Sequence, residues 1–362
     1  MRFQTSSNVF IDPQVAKSWT PGIVPREDIP NFAAFYRWSR ERLAPVPGVP
    51  PERATPKWTS PYTLRSRVKG EFWYGGLLDD RFGHFLTETM TRVWWHLSNP
   101  GHSRRAVFVA VDGSYDSKNN EFTFAELRSW QRQVFEYFNI EDPLIVTSPL
   151  ELESLLIPEQ GALLFSDIHE PEYQSILSDH ATSVLGAIKP ERKLFLTRPE
   201  TISGAVIGEK ALAQAFERSG YEIISTEKLP FIEQLQTVRN ATYIVASQGS
   251  ALHLFNVLGK VPSTKVLLFQ RLGDYSSSAF ASTLGPYVGS LDISMPMARI
   301  RSGRSTNHDQ TIVDILDVEQ KTRQFDPSVS LIGFSSNKYL EEILDGIKRG
   351  MPLNKTIHIN RS

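Results

Sequence analysis

The fold is decided by four short apolar segments: RKLFLTR (192–198), YEIIST (221–226), TYIVAS (242–247) and TKVLLFQ (264–270). Three segments with helical periodicity lie between them: GEKALAQAFERSG (208–220), FIEQLQTVRNA (231–241) and GSALHLFNVLG (249–259). Short β-branched runs that alternate with helices of about ten residues are typical of βαβ units and parallel sheets. The sequence therefore predicts an α/β domain in this region.

A second alternation of the same kind precedes the first. Its predicted strands are EFWYGGLL (71–78), RAVFVAVDG (105–113) and PLIVTS (143–148). Its predicted helices are FGHFLTETMTRVWWHL (82–97), FAELRSWQRQVFEYF (124–138) and PEYQSILSDHATSVLGAI (171–188). The two halves meet at a proline near residues 188–192. We expect an α/β fold with two doubly wound domains that face each other across a cleft.

Proline usage separates the N-terminal segment from both halves. Ten of the 23 prolines fall within residues 1–61. Because proline fixes φ and removes a hydrogen-bond donor, we predict an irregular Pro-rich arm over 1–61. We assign 62–189 to an N-terminal α/β domain and 190–335 to a C-terminal one. A C-terminal helix, KYLEEILDGIKRG (338–350), and a tail occupy 336–362.

Composition excludes several classes of function. The 362 residues include no cysteine, so disulfides, thiolate metal sites and a cysteine nucleophile are excluded. Lys and Arg number 39 and Asp and Glu 40, so no overall basic field favours nucleic acid. No apolar run approaches the ~20 residues that span a bilayer. We expect a cytoplasmic protein with at most peripheral contact with the inner membrane, and the sequence does not indicate an oligomeric state.

Three polar residues recur at helical spacing in the first half. His84, Glu88 and Arg92 stand at i, i+4 and i+8, which places them on one stripe of a helix. Asp79 and Asp80 precede this helix. A histidine with a carboxylate one turn along suits a general base with its orienting partner. The alternative is a ladder of ion pairs on a solvated face, although bulky apolar neighbours favour a cleft.

Two strand ends in the second half carry residues that suit an anion. Thr197 and Arg198 end the strand RKLFLTR, and the fork of an arginine makes paired bonds to a diphosphate. The alternative is an arginine paired to a surface carboxylate. Gly249 and Ser250 begin a predicted helix after TYIVAS, where backbone N–H groups favour a phosphate. His253 lies in the first turn of that helix.

Several blocks, in this order and spacing, resemble glycosyltransferase family 61, particularly its bacterial capsular-polysaccharide members. The first block is Phe82-Gly83-His84-Phe85 with Glu88 and Arg92. The later blocks are Leu196-Thr197-Arg198, Gly208-Glu209, Gly220-Tyr221-Glu222-Ile223-Ile224, Leu229-Pro230-Phe231-Ile232-Glu233-Gln234, Ala241-Thr242-Tyr243-Ile244-Val245, Gly249-Ser250-Ala251-Leu252-His253 and the trailing Tyr275, Ala281, Leu284-Gly285 and Tyr287. The resemblance implies a GT-B fold and inverting transfer of a sugar from a nucleotide-sugar, with UDP as the usual carrier. It also implies no metal cofactor, and the chain contains no Asp-x-Asp.

The chemistry of that reaction suggests roles for individual residues. His84 is the first candidate for the catalytic base, with Glu88 or Asp80 second. Donor-binding candidates are Arg92, Thr197, Arg198, Glu209, Gln234, Gln248, Gly249, Ser250 and His253. Among them, Glu209 suits the ribose hydroxyls and Gln234 suits bracing of the donor loop. The implied acceptor is a saccharide or a lipid-linked saccharide.

The chain departs from the family pattern at two places. Gln248-Gly249-Ser250 stands where the family commonly has His-Gly-Ala, and Gly208 stands where it often has Asn. These departures leave open a non-catalytic protein that binds a nucleotide-sugar or acts as a scaffold. A nucleotide-sugar epimerase is the other alternative.

Overall fold

The computed structural model describes residues 1–11, 66–110, 114–116, 121–123, 126–164, 169–198, 206–271, 280–300, 310–329, 339–341, 343–345 and 357–359. The chain divides into two compact units, Met1–Val184 and Leu185–Ser362. Each unit contains helices and a sheet with parallel strands, which confirms the α/β class. The GT-B arrangement across a cleft and the exact domain bounds stay predictions.

The N-terminal unit is built on one five-stranded sheet. The unit contains the strands β1 (Phe3–Ile11), β2 (Ser66–Leu78), β3 (Arg105–Ala110), β4 (Ser114–Asp116), β5 (Glu121–Thr123), β6 (Leu144–Val146) and β7 (Leu150–Pro158). Five of them form the sheet in the order β1-β7-β2-β3-β6, and β4 and β5 form a separate antiparallel pair. All neighbours in the sheet are parallel except β1, which is antiparallel to β7.

Strand β1 corrects the predicted Pro-rich arm. Residues 3–11 were expected to be irregular, but they pair with β7 from Phe3↔Pro158 to Ile11↔Leu150. Val9 and Ile11 are fully buried in this pairing, so apolar burial outweighs the polar character of the preceding residues. The rest of the predicted arm, residues 12–61, lies outside the described residues.

The predicted helix over residues 82–97 is wrong as one element. It forms α1 (Phe82–Thr87), a 3-10 turn (Thr89–Arg92) and α2 (Val93–Ser98). The break lies at Glu88, with φ −125° and ψ −49°. Thr89 Oγ1 donates to the Leu77 carbonyl over 2.6 Å, and this tertiary bond ties the turn to the end of β2. The helices that follow in this unit are α3 (Ser129–Tyr137) and α4 (Pro171–Leu185).

The C-terminal unit contains the sheet that positions the second candidate site. Its strands are β8 (Arg192–Leu196), β9 (Val206–Ile207), β10 (Glu222–Ile224), β11 (Ala241–Ser247), β12 (Val261–Phe269), β13 (Val288–Ser294), β14 (Pro296–Ile300), β15 (Gln310–Val313) and β16 (Ile357–Ile359). The order β10-β8-β11-β12-β13 is parallel throughout, as predicted for the first four. A smaller sheet has the order β16-β14-β15-β9, and the sequence analysis did not predict it.

The strand order creates a switch point between β8 and β11. After β8 the chain leads to β10 on one side of β8, whereas after β11 it leads to β12 on the opposite side. These two connections therefore diverge at the carboxyl ends of β8 and β11. Ligands of open α/β sheets bind in the crevice outside such a point.

The structure gives the bounds of four helices in the C-terminal unit: α5 (Glu209–Arg218), α6 (Phe231–Arg239), α7 (Phe255–Leu258) and α8 (Ile315–Phe325). Residues 280–284 are helical as well. Of the four, α5, α6 and α8 pack against this sheet. In α5, Phe216 is fully buried and its ring lies 5.5 Å from that of Phe195 in β8. Burial of a side chain of this size stabilises the fold by about 1.5–3 kcal/mol. This packing holds α5 against β8.

One further predicted helix differs from the structure, and another is described only in part. The segment 249–259 forms a 3-10 turn (Ser250–Leu254) followed by the four-residue α7. Of the predicted helix 338–350, only 339–341 and 343–345 are described, and they are helical. Among the described helices, none combines the length and the apolar character that a bilayer crossing requires.

Candidate functional site

A histidine–carboxylate pair lies directly beyond β2 in the N-terminal unit. His84 Nδ1 lies 2.5 Å from Glu88 Oε2. The Glu88 side chain is fully buried, whereas that of His84 is 23% exposed. A carboxylate at Nδ1 fixes the tautomer that carries its proton there and leaves Nε2 as an acceptor. The pair therefore has the arrangement of a general base with its orienting partner.

The second oxygen of Glu88 is unusual. Within the described ranges, no hydrogen-bond partner reaches the buried Oε1 atom. Glu88 follows the last residue of α1, where the chain turns towards the 3-10 segment. Buried polar atoms without partners are rare in native structures and call for an explanation, such as a catalytic role. This observation sets Glu88 apart from the surface carboxylates of the unit.

Asp79 adds a third ligand-type side chain to this region. One ligand atom each from Asp79, His84 and Glu88 lies within 4.8 Å of the other two. However, Arg81 already binds the Asp79 carboxylate through Nε to Oδ1 at 2.9 Å and through Nη2 to Oδ2. The guanidinium charge already neutralises the buried Asp79 carboxylate and opposes a cation beside it, because like charges repel.

The other predicted residues of this unit have different surroundings. Asp80 is 43% exposed and pairs with Arg128 at 2.7 Å. Arg92 is buried, its Nε donates to the Pro158 carbonyl at 3.0 Å, and its guanidinium lies 5.2 Å from the Tyr74 ring centre. The predicted stripe of His84, Glu88 and Arg92 is therefore wrong, because the break at Glu88 turns Arg92 towards the core.

In the C-terminal unit, one carboxylate ties together the ends of two neighbouring strands. Glu209 Oε1 accepts bonds from the Arg198 backbone N–H at 3.3 Å and from Ser247 Oγ at 3.0 Å. Burial raises the pKa of Glu209 to about 6, and the two hydrogen bonds oppose this rise. Because Glu209 is the first residue of α5, it links this helix to the ends of β8 and β11.

Gly249 lies against the Arg198 side chain. A Cβ atom added at Gly249 would meet Arg198 Cδ at 3.6 Å and Nε at 3.7 Å, which is ordinary contact. Its φ of −173° is extended backbone, so the conformation does not require glycine. The absence of a side chain therefore leaves this side of Arg198 uncovered. The following helix is a five-residue 3-10 turn, so the helix-dipole argument for Gly249 and the exposed Ser250 is weak.

Arg271, which follows β12, was not among the predicted site residues. Gln248 is fully buried, and its side-chain Oε1 accepts the Arg271 backbone N–H at 3.1 Å. The Gln248 carbonyl accepts Arg271 Nε at 3.0 Å and Arg198 Nη1 at 3.5 Å. The signal was present: Arg271 stands just beyond TKVLLFQ, much as Arg198 ends RKLFLTR.

The charges of this strand-end cluster influence one another. Burial and the positive charge of Arg198 lower the pKa of Arg271 to about 10, while Glu209 opposes this. Burial also lowers the pKa of Arg198, opposed by Glu209 and Glu227. Two partly desolvated guanidinium groups therefore lie at one carbonyl oxygen, at the switch point of the sheet.

The sequence profile of the family described as Glycosyltransferase 61 matches residues 82–266. That span is just over half of the chain, and it includes both the His84–Glu88 pair and the ends of β8 and β11. The chain belongs to glycosyltransferase family 61. No curated protein sequence matches it. The predicted family and the glycosyltransferase activity are thus confirmed.

The remaining predicted donor residues of this glycosyltransferase have identifiable contacts. Gln234 is buried and its Nε2 donates to the Leu229 carbonyl at 2.9 Å, which braces the loop before α6. Thr197 Oγ1 donates to the Arg198 carbonyl at 3.3 Å. His253 is largely buried, with Nδ1 at 3.3 Å from Asn256 Oδ1 and its ring 5.0 Å from that of Phe280.

The departure at Gly208 from the common family 61 residue has a structural explanation. Gly208 precedes α5 with φ +80°, a left-handed conformation in which Asn is the best tolerated alternative to Gly. In this chain a Cβ atom there would lie 2.3 Å from Tyr339 Cε2. Gly208 therefore keeps the backbone conformation that the family's Asn can adopt, while making room for Tyr339.

Proposed function

We propose that this glycosyltransferase takes its sugar from a nucleotide-sugar, with UDP as the carrier, and inverts the anomeric centre. The observation that carries the proposal is the position of Arg198, Gly249 and Glu209 at the switch point between β8 and β11. This is the place where open α/β sheets bind nucleotides and other ligands. The GT-B arrangement and the UDP carrier come from the resemblance to family 61.

The donor half of the reaction is assigned to the C-terminal unit. The Arg198 guanidinium binds the diphosphate, and Gly249 lets the phosphate oxygens approach closely. Glu209 Oε1 is occupied by Arg198 and Ser247, so Oε2 is the oxygen that suits a ribose hydroxyl. As the sugar leaves, negative charge grows on the diphosphate. A fixed guanidinium beside that charge lowers the free energy of the transition state by about 3 kcal/mol.

The acceptor half is assigned to the His84–Glu88 pair. The acceptor hydroxyl oxygen forms a bond to the anomeric carbon while its proton passes to His84 Nε2. The bond from that carbon to the diphosphate oxygen breaks, and its electron pair leaves with the nucleoside diphosphate. Glu88 stabilises the imidazolium that results through its bond to Nδ1. Attack opposite to the leaving group inverts the configuration.

The proposal includes no divalent cation. The cluster of Asp79, His84 and Glu88 has the ligand types that suit a transition metal, but Arg81 occupies the Asp79 carboxylate. The arginine side chains at the other site then supply the positive charge that a metal supplies elsewhere. We expect activity to persist in excess EDTA. Loss of activity that Mn²⁺ or Mg²⁺ restores would contradict this part of the proposal.

The proposed acceptor is a saccharide or a lipid-linked saccharide, in the synthesis of a capsular or related polysaccharide on the cytoplasmic side of a membrane. These assignments rest on the resemblance to bacterial members of family 61. Two alternatives remain. One is a protein that binds a nucleotide-sugar without catalysis, which the presence of Gln248 in place of the family's common histidine favours. The other is a nucleotide-sugar epimerase.

One experiment separates these functions. The purified protein is screened against UDP-, GDP-, CMP- and dTDP-sugars for a rise in melting temperature, and the stabilising donor is then incubated with and without saccharide acceptors. A transferase releases nucleoside diphosphate faster when the acceptor is present and forms a glycoside of inverted configuration. Isomerisation of the donor without an acceptor would indicate the epimerase. Stabilisation without donor consumption across the acceptor panel would indicate the binding protein.

A further inference from the structure

Arg271 is the residue in the C-terminal unit whose surroundings demand a further explanation. It follows β12, the strand next to β11, and it is 7% exposed. Its backbone N–H and its Nε both bond to Gln248, the residue before Gly249. These two bonds hold the Arg271 side chain across the end of β11, towards the segment that Arg198 contacts from β8.

The two arginine side chains meet at one atom. The Gln248 carbonyl accepts Arg271 Nε at 3.0 Å and Arg198 Nη1 at 3.5 Å. Two like charges held together in a partly buried place are costly; the Glu209 carboxylate offsets part of that cost, and a bound anion offsets more. Gly249 follows this carbonyl and adds no side chain to cover the pair. The arrangement suits a dianionic or trianionic group with several acceptor oxygens.

We propose that Arg271 and Arg198 form a paired guanidinium site that binds the diphosphate of the donor and of the nucleoside diphosphate product. This inference rests on the proposed function, which it deepens by adding a residue outside the matched span of 82–266. Arg271 neutralises the charge that grows as the sugar departs, and Gln248 keeps its side chain in place.

The test is a calorimetric measurement of the binding of pyrophosphate, UDP, UMP and uridine to Arg271→Ala. We expect the affinity for pyrophosphate and UDP to fall by at least about thirtyfold. The loss should be smaller for UMP and absent for uridine. A merely structural defect would weaken uridine binding as well.

The matched control is Arg192→Ala. Arg192 is the first residue of β8, at the amino end of the strand and far from the carboxyl end that precedes Arg198. It pairs with Glu222 at 2.6 Å. We expect this variant to bind all four probes as the native protein does. Because Arg271→Ala loses buried bonds, Arg271→Lys provides a second variant that retains the charge. It should bind UDP more weakly than the native protein and more tightly than the alanine variant.

The outcomes separate this inference from the proposed function. If the native protein binds UDP and Arg271→Ala binds it equally well, the inference is overturned and the proposed function stands. If the native protein binds pyrophosphate but no nucleotide, and Arg271→Ala loses it, the paired site stands and the nucleotide donor does not. If the native protein binds neither pyrophosphate nor UDP, both the inference and the proposed function are overturned.

Discussion

The two units carry opposite chemistry at the carboxyl ends of their parallel strands. Beyond β2, the N-terminal unit holds a buried carboxylate bonded to a partly exposed imidazole. Beyond β8, β11 and β12, the C-terminal unit holds two guanidinium groups and one carboxylate whose pKa is raised. In the proposed function, the first arrangement accepts a proton and the second binds an anion. On this proposal, similar sheets support different halves of a transfer reaction, depending on the side chains at the strand ends.

The largest expected effect concerns the proton-accepting end. In Glu88→Gln, the amide N–H donates to His84 Nδ1, which forces the ring proton onto Nε2 and removes the base. We expect turnover to fall by about a thousandfold. The measurement is turnover at saturating donor and acceptor, and affinity for UDP should not change.

The matched control for Glu88→Gln is Glu151→Gln, which alters a carboxylate of β7 paired with Arg67. It should retain native turnover. If Glu88→Gln also retained native turnover, the N-terminal unit would not supply the base through this pair.

A second prediction concerns how the anion-binding end is held in place. Gly208→Asn keeps the left-handed backbone but drives its side chain into Tyr339, so we expect a loss of about 2–3 kcal/mol of stability. Gly220→Asn is the control, because Gly220 has φ +83° and nothing within 4 Å of an added Cβ atom. Its cost should stay below about 1 kcal/mol. Equal denaturation midpoints for the two variants would show that Tyr339 does not constrain Gly208.

A smaller effect is expected from covering the arginine pair. Gly249→Ala fits without a clash, so its melting temperature should match that of the native protein. The new methyl group lies beside Arg198, and we expect UDP affinity to fall about tenfold, equivalent to ~1.4 kcal/mol. Calorimetry measures this directly. Native affinity in the alanine variant would mean that the diphosphate does not approach this face of Arg198.

The N-terminal unit also contains histidines whose hydrogen bonds require a neutral imidazole ring. The Arg104 backbone N–H donates to His102 Nδ1, and His102 and His96 share a bond of 2.8 Å. His96 Nε2 then donates to the Phe138 carbonyl at 3.1 Å. Burial lowers the pKa of His96, His102 and His180, and the charges of Arg104 and of protonated His96 lower that of His102 further.

This histidine chain predicts the smallest effect, a loss of stability in acid. Because the folded pKa values lie below the unfolded value of about 6.5, the unfolded chain binds more protons as the pH falls. Stability should therefore decrease below pH 6.5. His102→Gln retains a donor for His96 and should reduce the slope by up to about 1.4 kcal/mol per pH unit. If the melting temperatures of the native protein and of His102→Gln fell by the same amount between pH 7 and pH 5, the prediction would be contradicted.

The sequence predicted the parallel sheet of the C-terminal unit because its strands are continuous apolar runs. It did not predict β1, because the polar residues of FQTSSNVFI mask a strand that is stabilised by pairing with β7, far along the chain. Nor did it predict the break at Glu88, which depends on the tertiary bond from Thr89 to the Leu77 carbonyl. The local periodicity of the sequence cannot predict either the β1–β7 pairing or the bond from Thr89 to Leu77.

The candidate site was predicted in part for the same reason. His84 and Glu88 are four residues apart, so helical spacing alone brought them together. Arg198 and Gly249 were found from strand ends. Arg271 also stands at a strand end, but its approach to Gln248 depends on the order of β8, β11 and β12 in the sheet, which the sequence pattern did not predict. Arg92 was misplaced, because one backbone break redirects it to Pro158.

The most direct test of the division between the two units is to compare His84→Ala with Arg198→Ala in both turnover and UDP affinity. We expect each variant to lose at least about a hundredfold in turnover. Only Arg198→Ala should also lose UDP affinity, whereas His84→Ala should bind UDP as the native protein does. Native turnover in either variant, or a loss of UDP affinity in His84→Ala with none in Arg198→Ala, would contradict the assignment.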